Sequence, residues 1–181
     1  MVMDNELKKT LFQALVNGNE LEIRKIITKN NIDINEKDGS GNSLLHNAIL
    51  IGTESSVKAI LDLKADPRIT NNEGLTPLKL AQAIGGDIAE FTSHYLDEKL
   101  RTELVRTEPE AKFARHLIAG GANPFSEDLQ GNSAFDLVAE QPKKARLLTS
   151  SLEKLSLATS AERVDSPTSV TNPMLKPSRS S

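Results

Sequence analysis

Three histidines, His46, His94 and His116, are the side chains of this chain best suited to proton transfer or metal ligation. A zinc site or a hydrolytic dyad needs partners at fixed spacing, and no two of them stand as H-x-x-x-H or H-E-x-x-H. The chain has no cysteine, which removes disulfides, thiolate nucleophiles and Cys-ligated zinc together. Gly85-Gly86 and Gly120-Gly121 are isolated pairs, read as turn chemistry and not as GxGxxG or GxxxxGK[ST] phosphate cradles. The acids Asp97-Glu98 and Glu108/Glu110 read as solvated helix faces and caps. His94 and His116 read as surface or packing residues. No constellation of nucleophile, base and orienting group emerges, so no enzyme, cofactor or metal is expected.

The elements that would position any site come from a repeat. "GNSLLHNAILIG" at 41–52 and "GLTPLKLAQAIG" at 74–85 share Gly41/Gly74, Leu45/Leu78, Ala48/Ala81, Ile51/Ile84 and Gly52/Gly85 at an offset of 33. A third copy, "GNSAFDLVAEQP", lies at 131–142. A fainter one, "TLFQALVNG", sets Leu11, Ala14 and Gly18 on Leu45, Ala48 and Gly52 at an offset of 34. The intervening halves repeat too, with Ala65-Asp66-Pro67 over Ala122-Asn123-Pro124. Each unit reads as turn, short helix, Gly turn, second helix and an extended stretch. Ser43, Thr76 and Ser133 stand where an N-cap is needed, and Pro77 occupies a first helical position. Gly52 and Gly85 end first helices at sites that tolerate positive φ. One such unit cannot bury its apolar face alone, so neighbours must stack.

The period and the core Gly74-Leu75-Thr76-Pro77-Leu78-Lys79-Leu80-Ala81 resemble the ankyrin-repeat family, whose unit carries G-x-T-P-L-H-x-A. Gly41 through Ala48 keeps His46 in the family's His slot, where the resemblance implies a hydrogen bond to the backbone of the neighbouring turn. Gly131 through Ala139 is the weaker match. The resemblance covers roughly residues 4–150 and implies an all-α solenoid of about four repeats, at 5–37, 38–70, 71–127 and a terminal cap at 128–152.

Gly74 to Gly131 spans 57 residues, which leaves 24 beyond one period. The surplus lies near 86–110, where Ile88, Phe91, Tyr95, Leu96, Leu100 and Leu104 form one helical stripe. It predicts an extra or lengthened second helix in the third repeat, stopping near Arg106. Thr107 and Glu110 at capping-box spacing, with Pro109 in the first turn, predict the next helix start. The insertion is either an elaboration packed on the solenoid or an arm that binds or masks a surface. Residues 153–181 are rich in Ser, Thr and Pro with no aromatic residue, which predicts a disordered tail. Ser166-Pro167 and the final "KPSRSS" are its candidate modification or address sequences.

With 25 acidic against 22 basic residues and a net charge of −3, the chain lacks the electropositive field that nucleic acid requires. No apolar run reaches the roughly 20 residues that span a bilayer. The beginning, "MVMDNELKKT", has no apolar h-region, so it does not read as a secretory signal peptide and a cytoplasmic monomer is the expectation. The resemblance implies a protein partner bound through turn tips at 36–40, 69–73 and 126–130 and through the row of first helices. The candidate contact residues are Val16, Asn17, Glu36, Lys37, Leu50, Ile51, Thr70, Asn72, Glu73, Ala83 and Ile84. The apolar Val16, Leu50, Ile51 and Ile84 are unexpected on a wet surface and either form a binding row, lie under the insertion, or pack locally. An adaptor or scaffold is the leading expectation. The alternatives are an inhibitor that occludes an enzyme surface, or a secreted bacterial effector acting on host proteins.

Overall fold

The hydroxyls expected as caps do start the first helices. Thr76 Oγ1 accepts from the Lys79 N–H at 3.4 Å and Ser133 Oγ from the Asp136 N–H at 3.3 Å. Asp136 completes a capping box by accepting from the Ser133 N–H at 2.8 Å, and at Ser43 the imidazole of His46 does the same at 3.2 Å. Gly52 ends its helix with φ +78, a left-handed cap.

The computed structural model describes residues 5–106 and 108–162. Its helices are α1 (Asn5–Val16), α2 (Glu20–Lys29), α3 (Leu44–Ile51), α4 (Glu54–Asp62), α5 (Pro77–Ile84), α6 (Gly86–Val105), α7 (Ala111–Ala119), α8 (Ala134–Val138) and α9 (Pro142–Glu162), with no strand among the described residues. First helices α1, α3 and α5 pack in one layer and second helices α2, α4 and α6 in another. This is the all-α ankyrin solenoid that the spacing implies. Ala48 and Ala81 are fully buried where the layers meet, and Ile60, Leu61, Leu117 and Ile118 fill the second-helix faces.

Successive units are tied by hydrogen bonds that repeat the sequence period. Lys37 Nζ donates to the Thr70 carbonyl at 2.6 Å, and the Asn72 N–H to the Ser40 carbonyl at 3.1 Å. Asn71 Nδ2 reaches Asn42 Oδ1 at 3.2 Å, and the Asp66 N–H reaches Asn35 Oδ1 at 2.9 Å. Gly41 (φ +75) lies so close to this seam that a Cβ there would sit 2.7 Å from the Asn72 nitrogen. His46 is fully buried, and its Nε2 lies 3.0 Å from the Leu75 carbonyl, the contact that the family slot implies.

The insertion is a single 20-residue helix, α6, followed by a break and α7. Its apolar stripe is buried or half-buried, but polar side chains on its other faces are buried as well. Asp97 accepts from the Asn123 N–H and Glu103 from the Glu110 N–H, each at 2.6 Å. The helix is therefore embedded: it packs on α4 and α5 on one side and on α7 and α8 on the other. The solvated face expected at Asp97 is corrected by this burial. Thr107 lies outside the described residues. Glu110 stands at the N-cap position of α7 without a side-chain cap, so α7 starts later than the Thr107–Glu110 spacing suggests. Helix α9 runs ten residues past the expected boundary at 152, with Leu148 and Ser151 buried and Leu152 and Leu155 half-buried. Residues 163–181, including Ser166-Pro167 and "KPSRSS", lie outside the described residues.

One carboxylate joins three units. Asp62, at the end of α4, accepts from Arg24 Nη2 of α2 at 2.6 Å and from the Tyr95 hydroxyl of α6 at 2.8 Å, and it pairs with Lys99. Burial alone would raise its pKa, but the hydrogen bonds from Lys99 and Tyr95, the Lys99 charge and Arg24 outweigh it and hold the carboxyl below its usual range. Asp62→Ala is expected to cost about 1–3 kcal/mol in urea unfolding at neutral pH. A carboxyl with a lowered folded pKa stabilises above its unfolded value and loses that contribution as pH falls through the folded one. The variant should therefore lose less stability than the parent as pH drops below about 4. For His46 desolvation dominates and lowers the pKa, against the opposing Leu75 carbonyl. The unfolded chain then binds the extra proton, so stability rises with pH up to about 6.5, the ordinary histidine value. His46→Ala should cost about 1–3 kcal/mol and flatten the slope of stability between about pH 5 and 6.5, measured by chemical unfolding across that range.

Candidate functional site

The turn tips are built by a side chain that the repeat places three residues before each Gly. Asp38 Oδ1 accepts from the Ser40 and Asn42 N–H groups at 2.9 and 3.0 Å. Asn71 Oδ1 accepts from Glu73 and Leu75, both at 3.0 Å, and Asp128 Oδ1 from Gln130 and Asn132, both at 2.9 Å. These Asx turns fix the tips before anything binds. The signal was present in the sequence as Asp or Asn, two residues, then Gly, at 38–41, 71–74 and 128–131. The Asn132 N–H, followed by burial, which opposes it, and the Gln130 N–H, leaves the Asp128 carboxyl below its usual range.

On the first two tips Glu36, Lys37, Thr70, Asn72 and Glu73 are all exposed. Their polar groups divide into two sets. Lys37 and Asn72 spend donors on Thr70 and on Gly39, so they hold the tips to each other. Glu36 and Glu73 project side chains with no hydrogen bond or ion pair among the described residues. The third tip is held to α6, through Arg101 Nη1 to the carbonyl and hydroxyl of Ser126 at 3.0 and 2.9 Å. Beside it Phe125 stacks on Phe135 at 5.1 Å while remaining mostly exposed, and Leu129 is fully exposed.

The first-helix row is open. Val16, Leu50 and Ile84 are 45, 52 and 50 % exposed, and Asn17 and Ala83 beside them are exposed. Ile51 differs: it is half-buried against the core, so Leu50 is the outward residue of that pair. Helix α6 packs on α5 yet leaves Ile84 half exposed, as Val16 and Leu50 are. The sequence reading missed Phe12, which is 57 % exposed one turn before Val16 on α1. Phe12 stands, at the offset of 34, in the position of His46, and that mismatch was its signal. It forms one wall of a groove of about 460 Å³ between α1 and the first tip.

The histidines are accounted for by packing. His46 Nδ1 lies 2.9 Å from Ser43 Oγ, a pairing that looks like base and nucleophile, yet the two residues are 0 and 1 % exposed and no substrate reaches them. His94 is exposed on α6. His116 Nδ1 lies 3.4 Å from Asp66 Oδ2, which Arg68 also holds at 2.7 Å. Among the described residues no three His, Asp or Glu side chains are grouped to hold a metal, and no helix is long and apolar enough to cross a membrane.

Residues 11–58 match a family model described as "Ankyrin repeats (many copies)". The chain is 28 % identical over 150 residues to the transient receptor potential cation channel subfamily A member 1 homolog of Caenorhabditis elegans, covering 77 % of this chain and 12 % of that protein. It is 39 % identical over 70 residues to the receptor-interacting serine/threonine-protein kinase 4 of Mus musculus, covering 39 and 9 %. It is 28 % identical over 116 residues to the regulatory protein SWI6 of Saccharomyces cerevisiae, covering 55 and 14 %. The chain thus spans at most about a seventh of the length of these relatives. The matched segment and the 33-residue ladder, with the buried His46 in its slot, agree on an ankyrin-repeat solenoid.

Proposed function

We propose that the chain is a non-catalytic interaction module, an adaptor or scaffold that binds a partner protein through its first-helix row and turn tips. The observation that carries this is the row itself. Val16 and Leu50 occupy equivalent places on α1 and α3, and Ile84 stands on α5 one position past their equivalent, Ala83; each is about half exposed. Contiguous exposed apolar area of this kind marks interaction surfaces. Burying it contributes about 25 cal/mol per Å² of apolar surface removed from water. The stacked core and the Asx-turned tips hold this surface in place, so little ordering entropy opposes binding.

Packed helices lie about 8–10 Å apart, which sets the pitch of the row. A partner helix crossing it would meet the row with apolar residues seven apart, at about 10.5 Å. A polyproline-II segment would do so with residues three apart, at about 9.3 Å. The test is affinity capture from cell extract on the immobilised full chain, beside a Leu50→Asp/Ile84→Asp variant shown by circular dichroism to stay folded. Recovery of a specific partner should fall at least about tenfold in the variant, the loss of two anchor side chains being worth about 1.4 kcal/mol or more. Equal recovery on both would remove the row as the site.

A further inference from the structure

The first tip is stacked on one side only. Its far face carries the bonds to the second tip, through Lys37, Ser40, Gly39 and Asn42. Its near face borders α1 across a space lined by Lys8, Phe12, Asp33 and Glu36. In the second unit the imidazole of His46 spans to the Leu75 carbonyl and closes the corresponding gap. Phe12, in the same position, has no polar atom to make that reach and leaves the gap open as the 460 Å³ groove. The floor is apolar, from Leu11, Leu15, Ile32 and Leu44.

The two walls carry opposite charge. Lys8 and Lys9 stand on the α1 side, and their side chains have no hydrogen bond or ion pair among the described residues. Asp33, Glu36 and Asp38 stand on the tip side. Asp33 accepts from the Asn35 N–H, and Asp38 from Ser40, Asn42 and Asn47; all these donors are neutral, so no cation offsets the charge. Lys37, the one cation on that wall, is drawn away to Thr70.

We propose that this groove takes an amphipathic segment of the partner protein. A bulky apolar side chain of that segment would sit against Phe12, an acidic residue would face Lys8 and Lys9, and a basic residue would face Asp33, Glu36 and Asp38. The proposal rests on the reading of the chain as a protein-binding module and adds the chemistry of what it recognises. Opposed charges across an apolar floor fix the direction of such a segment as well as its place.

The probe is a phage-displayed library of random dodecapeptides, selected on the full chain and followed by fluorescence polarisation of the enriched peptides. Enriched sequences should share a large apolar residue bracketed by an acid and a base. Phe12→Asp should weaken their binding about thirtyfold, as for loss of an anchor worth about 2 kcal/mol. Lys8→Glu/Lys9→Glu should weaken it about three- to tenfold, and a peptide with its acid replaced by a base should recover affinity for that variant. Leu50→Asp/Ile84→Asp should leave these short peptides bound. Peptides lost on Leu50→Asp/Ile84→Asp but not on Phe12→Asp would overturn the groove and leave the row reading intact. Peptides that follow the groove while captured partners ignore the row would sustain the groove and sink the row. No enrichment, enrichment without the charge pattern, or a homodimer in sedimentation that Phe12→Asp dissociates would each overturn the proposal.

Discussion

Everything in this chain depends on one constraint: a pair of short helices cannot cover its own apolar face. α3 and α5 are eight residues each, and neither would hold together alone in water. They persist because Leu45, Ala48, Ile49 and Ala81 are sealed by the units on either side. The same constraint decides where polar groups go. The buried Nε2–H of His46 must find an acceptor, and it finds the Leu75 carbonyl of the next unit. Stacking and hydrogen bonding therefore join residues about one period apart, as at Lys37–Thr70 and His46–Leu75.

The regular ladder ends at the third unit, and α6 shows what replaces it. Tips one and two are joined directly, whereas the third tip is joined to α6 by Arg101. Asp97 and Glu103 do the work that tip-to-tip bonds do earlier, accepting backbone N–H groups at the two ends of α7. Asp62 anchors the same helix to α4 and, through Arg24, to α2. A long helix can interrupt a solenoid without exposing its core only if it is buried on several faces and brings its own acceptors. α6 meets both conditions, and the terminal pair α8 and α9 then stacks onto α6 and α7.

The units were legible because Gly, cap and small-residue positions recur at fixed offsets, and each has a local physical cause. The embedding of α6 was not. Ile88 through Leu104 announce one apolar stripe, but nothing local shows that Asp97 will meet a backbone group 26 positions away. Burial of a carboxylate by a distant partner leaves no periodic trace. The end of α9 is a different case: Leu148, Leu152 and Leu155 continue a helical stripe past the expected boundary, and the Ser- and Thr-rich composition concealed it. On the surface, Val16 and Leu50 align with each other and with Ala83, whereas Ile84 aligns with the half-buried Ile51. Ile51 could not be told from Leu50, because adjacent residues at a helix end differ in burial by a rotation that only packing sets.

The outer helices among the described residues pack differently. Helix α9 lies against α7 and α8. Helix α1 faces the first tip, with Phe12 standing where His46 of the second unit bridges to the third. That arrangement leaves a large aromatic ring 57 % exposed, between lysines on one side and carboxylates on the other. The first tip bonds to the second through its far face, and its near face borders the groove beside Phe12. The groove is also continuous, through Phe12 and Val16 on one helix, with the apolar row across the first helices.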